Sequence, residues 1–267
     1  MTELVVACLD ETWSSIEALC SGFTAQDWAR PTDLPGWSVQ DQLAHLCGIE
    51  ARLLGRPQPK PLADPPPHVR NPLGAMNEAQ IEIRRSWAPE EVLAEFMELT
   101  AERLSVVAAM NERAMAAESD GVLGRAPMRD VLAIREVDCF YHEQDMRRAT
   151  GARGSLDGVP AAFVFERMQR ALPMIVGKRA AAPDGTVLVW DVTGPAGATT
   201  TVTVSGGRGA IGEHVPGAET ATIRTDLETF LCLTGGRWTR QRAGDRVVVE
   251  GDEALAVAVL DNCNIMI

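Results

Sequence analysis

The sequence predicts an α domain followed by an α+β domain: an antiparallel four-helix bundle over residues 1–152, then a small α+β domain over 158–267. Three observations carry this reading. The first 150 residues are helical in character, with apolar residues at three- and four-residue spacing. β-rich stretches bounded by glycine, such as "GTVLVWDVTG", appear only in the last third. Between the two regimes lies "GARGSLDGVP", where the character changes, so the domain boundary is placed near 151–158.

The first helix is read from "LVVACLDETWSSIEALCSGF", with Val5, Leu9, Trp13, Ile16, Cys20 and Phe23 on one stripe. The turn-rich "PTDLPGW" follows, and Ser38 then opens a second helix. Asp41, three residues on, can reach back as the acid of a capping box, and the helix should run to about Gly55. "RPQPKPLADPPPH" is too proline-rich for helix and is expected to run over the surface. "NEAQIEIRRSW" predicts a short helix. "PEEVLAEFMELTAERLSVVAAMNERAM" predicts one long helix, opened by Pro89 with acids in its first turn. The last helix of the set runs from about Pro127 to Thr150, with Arg147 and Arg148 near its C-terminal end and Gly151 just beyond.

In the second part, "AAFVFERMQRALPMIV" reads as helix, followed by strands in "GTVLVWDVTG", "TTTVTVSGG" and "ATIRT", the first two forming a hairpin. Then come a helix in "DLETFLCLTGG", a strand in "DRVVVEG" and a helix in "DEALAVAVLDN". Strands interspersed with helices make an α+β domain.

Composition narrows the partners. A formal charge of −12 repels phosphate backbones and anionic membranes, so neither nucleic acid nor membrane is expected as a partner. There is no apolar run of roughly 18 residues to cross a bilayer. The opening "MTELVVACLDETW" lacks the basic start of a signal peptide, so the cytoplasm is the expected location. The six cysteines include no C-x-x-C pair and are expected to be buried thiols. A monomer or homodimer is expected.

Chemistry concentrates in "DCFYHEQDMRRATG" (138–151). The apolar stripe of the last bundle helix can be phased from Val131 and Ile134. Continued by threes and fours, it reaches Asp138, His142 and Asp145 where Leu or Val would be ordinary. An unpaired carboxylate in a core costs several kcal/mol, about 2–7 for a neutral polar group and more for a charge, so a cation, proton or strong donor is expected beside it. Asp138 and His142 are four apart and share a face, a geometry that suits two ligands of one metal ion. It equally suits an internal Asp–His hydrogen bond, or a face turned to solvent. A third ligand must come from another helix. His68 and His214 read as surface residues, whereas His45 sits mid-helix in "DQLAHLCG" at the edge of an apolar stripe. With His45 the set becomes two imidazoles and one carboxylate with open coordination positions.

"PGWSVQDQLAHL" followed by "DCFYHEQDMRRATG" resembles the mycothiol-dependent maleylpyruvate isomerase-like group within the DinB-like metalloproteins. The resemblance covers roughly residues 1–150. It implies a four-helix bundle holding a divalent metal through His45, Asp138 and His142, usually zinc, with nickel, iron or manganese as alternatives. The group commonly has Glu where this chain has Asp138, one methylene shorter. Asp145 is then the candidate to orient a ligand or pair with an arginine. The last 110 residues resemble a sterol-carrier-protein-like domain, through "ATIRTDLETFLCLTGG" and "VVVEGDEALAVAVL". In the isomerase an arginine of that domain assists at the substrate, and Arg237 is the positional match, with Arg224 behind it.

The function implied is activation of a low-molecular-weight thiol, mycothiol as co-substrate, for attack on a small electrophile. If the adduct collapses the outcome is cis–trans isomerisation, and if it persists the outcome is S-transfer. Arg147 and Arg148 are candidates to recognise carboxylates of thiol or substrate, and Trp37 a candidate wall of the pocket. Two other classes fit the same ligands. One is a metal-water hydrolase with Glu143 or Asp145 as base. The other is a non-catalytic protein that binds metal and a small apolar ligand.

Overall fold

The computed structural model describes residues 3–266. The chain forms two compact units, one up to Gly154 and the other from Ser155 on. The first is helical and the second contains the main sheet. No described helix is long and apolar enough to cross a membrane.

The first unit holds α1 (Leu4–Ser21), the single-turn α2 (Ala25–Trp28), α3 (Val39–Leu53), α4 (Pro72–Glu82), α5 (Pro89–Ala108), the short α6 (Glu112–Ala116), and α7 (Met128–Thr150). α1 packs on α5 and α7, and α3 packs on α4, α5 and α7. Local chemistry sets the ends. Ser38 Oγ accepts from Asp41 N at 3.2 Å and Asp41 Oδ2 accepts from Ser38 N at 2.8 Å, the reciprocal pair that starts α3. Pro89 occupies the first turn of α5, where no N–H partner is required. Gly151 ends α7 at φ +75°, a conformation that a side chain would disfavour.

Three expectations are corrected. The long helix read through 89–115 breaks after Ala108. Asn111 caps a separate α6 by accepting from Ala114 N at 3.0 Å, so its side chain competes successfully with helix continuation. A small antiparallel hairpin, β1 (Glu118–Gly121) and β2 (Gly124–Pro127), precedes α7. Its strands lack the β-branched residues that would have announced them. Val131 and Ile134, used to phase α7, are only half-buried, and Val131 lies against Gly121 of the hairpin. α7 is instead buried on nearly all sides from Leu132 to Met146, so a single inward stripe does not describe it.

The second unit carries α8 (Val159–Gln169), a turn α9 (Leu172–Met174) running into a π-helical turn (Ile175–Arg179), α10 (Leu227–Thr234), α11 (Arg240–Ala243) and α12 (Glu253–Asp261). Its sheet has five strands: β3 (Val187–Thr193), β4 (Thr199–Ser205), β5 (Arg208–Gly212), β6 (Ala221–Asp226) and β7 (Val248–Gly251), in the order β5-β4-β3-β6-β7. Only β3 and β6 run parallel. β3–β4 is the expected hairpin, while β5 and α11 were not anticipated. Trp190 on β3 meets Phe230 of α10 edge-on at 5.2 Å, and Phe230 meets Phe165 of α8 at 5.3 Å. These aromatic contacts anchor the helices to the sheet.

Candidate metal centre

α7 presents Asp138 and His142 one turn apart, and α3 brings His45 against them. One ligand atom from each of the three lies within 4.8 Å of the others. His142 Nε2 is 3.3 Å from Asp138 Oδ1, and His45 Nε2 is 3.5 Å from Asp138 Oδ2. The two imidazole centroids are 4.6 Å apart. Both histidines are buried, while 31% of the Asp138 side chain is exposed, so the cluster opens to solvent on the carboxylate side.

His45 shows what the cluster lacks. Neither of its ring nitrogens makes a well-formed hydrogen bond: Nδ1 has no partner and Nε2 faces only the Asp138 carboxylate at 3.5 Å, although the residue is 3% exposed. Orphaned buried polar atoms are rare and costly in native proteins. Burial, and secondarily the nearby His142, depresses its pKa to about 4, so it is a neutral imidazole at pH 7. Burial alone would raise the Asp138 carboxyl. His142, His45 and Arg135 outweigh it and hold the group well below the usual carboxylate range. The neutral imidazole of His45, a second imidazole and one carboxylate converge on one point, a donor set that fits a divalent cation of the zinc class.

The carboxylate is not free to swing. Arg135 pairs with Asp138 Oδ2 from one turn earlier, and its Nε donates to Glu50 Oε1 at 2.7 Å. Glu50, fully buried on α3, also faces Arg103 of α5 at 3.6 Å. Trp37 closes another side, with its ring 5.2 Å from His45 and 5.9 Å from His142. Its Nε1 donates to the buried Glu78 Oε2 at 3.0 Å, which also accepts from His68 Nε2 at 3.0 Å. His68 is therefore not an ordinary surface residue. Its ring also sits where a Cβ on Gly36 would be, 2.6 Å away, so Gly36 (φ +81°) is required twice over.

The remaining candidates fall as follows. Asp145, fully buried, pairs with Arg148 and lies 3.7 Å from His142 Nδ1, so it stands behind a candidate ligand. His142 Nδ1 is hydrogen-bonded to Gln42 Oε1. Arg147 donates to Glu143 at 2.8 Å, Ser15 Oγ at 2.9 Å and Ala152 O at 3.0 Å, and His45, Asp138 and His142 are not among these partners. Arg148 Nε donates to Asp33 at 2.8 Å. Arg237 lies in the second unit, buried, and donates to Gly235 O at 2.8 Å, while Arg224 pairs with Asp191 at 2.8 Å. All six cysteines are buried thiols outside any disulfide. Cys139 accepts from Trp13 Nε1 at 3.3 Å, and burial pushes its thiol well above the usual range.

Gln42, Glu50, Glu78 and Arg135 escaped the sequence reading. Glu50 carried a usable signal, since it follows Leu43 and Leu46 on the same apolar stripe, as Asp138 follows Ile134. A polar residue at such a position asks for a partner in the same way.

Residues 9–147, just over half the chain, match the family model described as the mycothiol maleylpyruvate isomerase N-terminal domain. Two solved structures are similar over nearly the whole length, both crystal structures of the mycothiol-dependent maleylpyruvate isomerase, one of them a variant with a histidine replaced by alanine. Each is 16% identical with a TM-score of 0.55, and the match covers 94% of this chain and 96% of the other. That likeness concerns the fold. No curated protein matches in sequence.

Proposed function

The chain belongs to the mycothiol maleylpyruvate isomerase N-terminal domain family, and from that premise we propose that it is a divalent-metal-dependent enzyme of mycothiol chemistry. His45, Asp138 and His142 hold the metal, zinc by first choice, and the reaction is a cis–trans isomerisation of a small unsaturated electrophile or a transfer of the thiol to it. The convergence of those three side chains within 4.8 Å, with His45 Nδ1 left unpartnered and its Nε2 facing only the Asp138 carboxylate, is the observation that carries the reading.

A thiol of pKa ~8.5 is mostly protonated at neutral pH. A bound divalent metal supplies the Lewis acidity that makes the thiolate form accessible there. The chain's own residues do the rest. His45 offers a lone pair with no proton to lose, since burial keeps it neutral to about pH 4. Asp138 brings the negative charge and forms the accessible edge of the centre, oriented by Arg135. Trp37 covers the two imidazoles and keeps water from that side. The nucleophile comes from outside the chain, because all six cysteines are buried and face no solvent. In the isomerase outcome the thiolate sulfur adds to the conjugated double bond, the former double bond rotates, and the sulfur leaves with the bond restored. The thiol is then unchanged.

The hydrolase alternative is weaker, because its candidate bases are engaged: Glu143 with Arg147 and Ser15, Asp145 with Arg148. Within the same reading, the helices of the first unit are a DinB-like four-helix bundle. The five-stranded second unit is a sterol-carrier-like domain in which Arg237 is the candidate substrate contact.

The test combines metal analysis with turnover. Purified protein should carry about one divalent metal per chain, lost in His142→Ala. Maleylpyruvate or a related electrophile should be consumed only when mycothiol is supplied, and not after chelation. Equal turnover without thiol would overturn the proposal, as would failure to retain zinc or nickel offered in excess.

A further inference from the structure

His142 has two ring nitrogens, and only a ring with its proton on Nδ1 can turn a lone pair on Nε2 toward a metal. Two carboxylates pull on that proton from opposite sides. Asp138 Oδ1, 3.3 Å from Nε2, favours a proton on Nε2, and Asp145 Oδ2, 3.7 Å from Nδ1, favours one on Nδ1. Each acid is already paired with an arginine, Asp138 with Arg135 and Asp145 with Arg148. Neither carboxylate is placed to settle the matter.

Gln42 is. Its Oε1 meets His142 Nδ1, while its Nε2 donates to Thr32 Oγ1 at 2.6 Å. Thr32 in turn donates its only hydroxyl proton to the carbonyl of Trp37 at 2.9 Å, and Oγ1 also accepts from Leu34 N at 3.3 Å. A carbonyl can only accept, so the direction of every bond follows: Thr32 gives to Trp37, Gln42 gives to Thr32, and His142 must give to Gln42. Reversing the Gln42 amide would require Thr32 to withdraw its proton from Trp37 O, at the loss of that hydrogen bond. Thr32 is itself pinned. Its N–H donates to Trp37 O at 3.0 Å, and Pro31 and Ser38 are bridged beside it. Gln42 is fully buried, so water cannot replace it.

We propose that Gln42 is a positioning residue for the metal centre: the Trp37–Thr32–Gln42 chain of hydrogen bonds holds the His142 proton on Nδ1 and presents Nε2 as the ligand atom. The proposal rests on the reading of His142 as a metal ligand. Its consequence is that α3 serves the centre twice, supplying one ligand in His45 and, one turn earlier, orienting the other. Such partners of metal-bound histidines commonly change affinity by about 10–100-fold.

The experiment uses the full-length metal-free chain at pH 8, with nitrogen-15 histidine. Long-range proton–nitrogen spectra report which ring nitrogen is protonated, and His142→Ala identifies the signals among the four histidines. Wild type should show His142 protonated on Nδ1. Gln42→Met, which keeps the volume and removes the acceptor, should shift the proton toward Nε2 and weaken zinc binding about 10–100-fold in a chelator competition. Gln42→Glu, which keeps an acceptor at the same place, should retain the wild-type spectrum and bind zinc within a few-fold. Thr32→Ser should behave as wild type, and Thr32→Val should follow Gln42→Met. A wild-type His142 that carries its proton on Nε2 or on both nitrogens overturns the proposal. So does a Gln42→Met chain, folded by circular dichroism, whose tautomer and affinity are unchanged. If His142 is protonated on Nδ1 but the wild type binds no zinc, the metal reading fails and the positioning role falls with it. If zinc binds tightly to every variant, the positioning role alone fails.

Discussion

Arg135 sits one turn before Asp138 on α7 and holds Oδ2 of its carboxylate, while Oδ1 faces His142 at 3.3 Å. The same guanidinium is anchored by Glu50 from α3, so the orientation of a candidate ligand depends on a buried ion pair between two helices. Removing one partner of such a pair strands the other. Arg135→Met should therefore destabilise the chain by about 3–5 kcal/mol in urea denaturation. Because the buried Arg103 also faces Glu50, recovery of much of that loss should need the triple change Arg135→Met, Glu50→Leu and Arg103→Met. A single variant as stable as wild type would show that Arg103 alone satisfies Glu50.

His45 should behave in the opposite way. Without metal its Nδ1 has no partner and its Nε2 has only the Asp138 carboxylate at 3.5 Å, so His45→Leu removes a poorly satisfied group from the core. The metal-free variant is expected to melt no lower than metal-free wild type. Zinc at 100 times Kd should add about 2.7 kcal/mol to wild type and nothing to the variant. Calorimetry with and without zinc reads both. A large loss of stability in metal-free His45→Leu would mean that His45 is a packing residue first.

Glu136 gives a pH dependence with a definite sign. It is buried with one oxygen accepting from Thr12 at 2.8 Å and the other unpartnered. Burial raises its pKa from 4.5 to about 8, so the folded chain keeps it protonated at pH 7 while the unfolded chain does not. The folded state thus binds the extra proton between those values. The stability that goes with it is complete below about pH 4.5 and is lost as pH rises through about 8. Glu136→Gln cannot ionise. Its advantage over wild type should grow steadily from pH 5 to pH 8 in urea denaturation, and parallel curves would show that Glu136 does not titrate in this range.

Trp37→Phe preserves the aromatic cover over the histidines but removes one of the donors to the buried Glu78. A loss of about 1–3 kcal/mol is expected, the range for leaving a buried acceptor underserved. Because the ring still covers both imidazoles, zinc affinity should change less than stability, and a chelator competition beside a melting curve separates the two.

The sequence by itself determined what short-range chemistry decides. Ser38 with Asp41 starts α3, Gly151 stops α7, and Asp138 and His142 share a face because four residues make about one helical turn. That Asp138 and His142 form a pair was legible from their spacing, and the motif resemblance pointed to His45. What the sequence left open was rotation and offset between helices. Those quantities decide that Glu50 meets Arg135 across 85 positions, that Gln42 meets His142 across 100, and that Trp37 reaches Glu78 across 41. They also explain why phasing α7 from Val131 misled. Helices and the hairpin surround α7, so burial follows its neighbours and not a single stripe. A ligand type can be written into one helix, but the orientation of that ligand is set by side chains on other helices, and only tertiary packing brings them together.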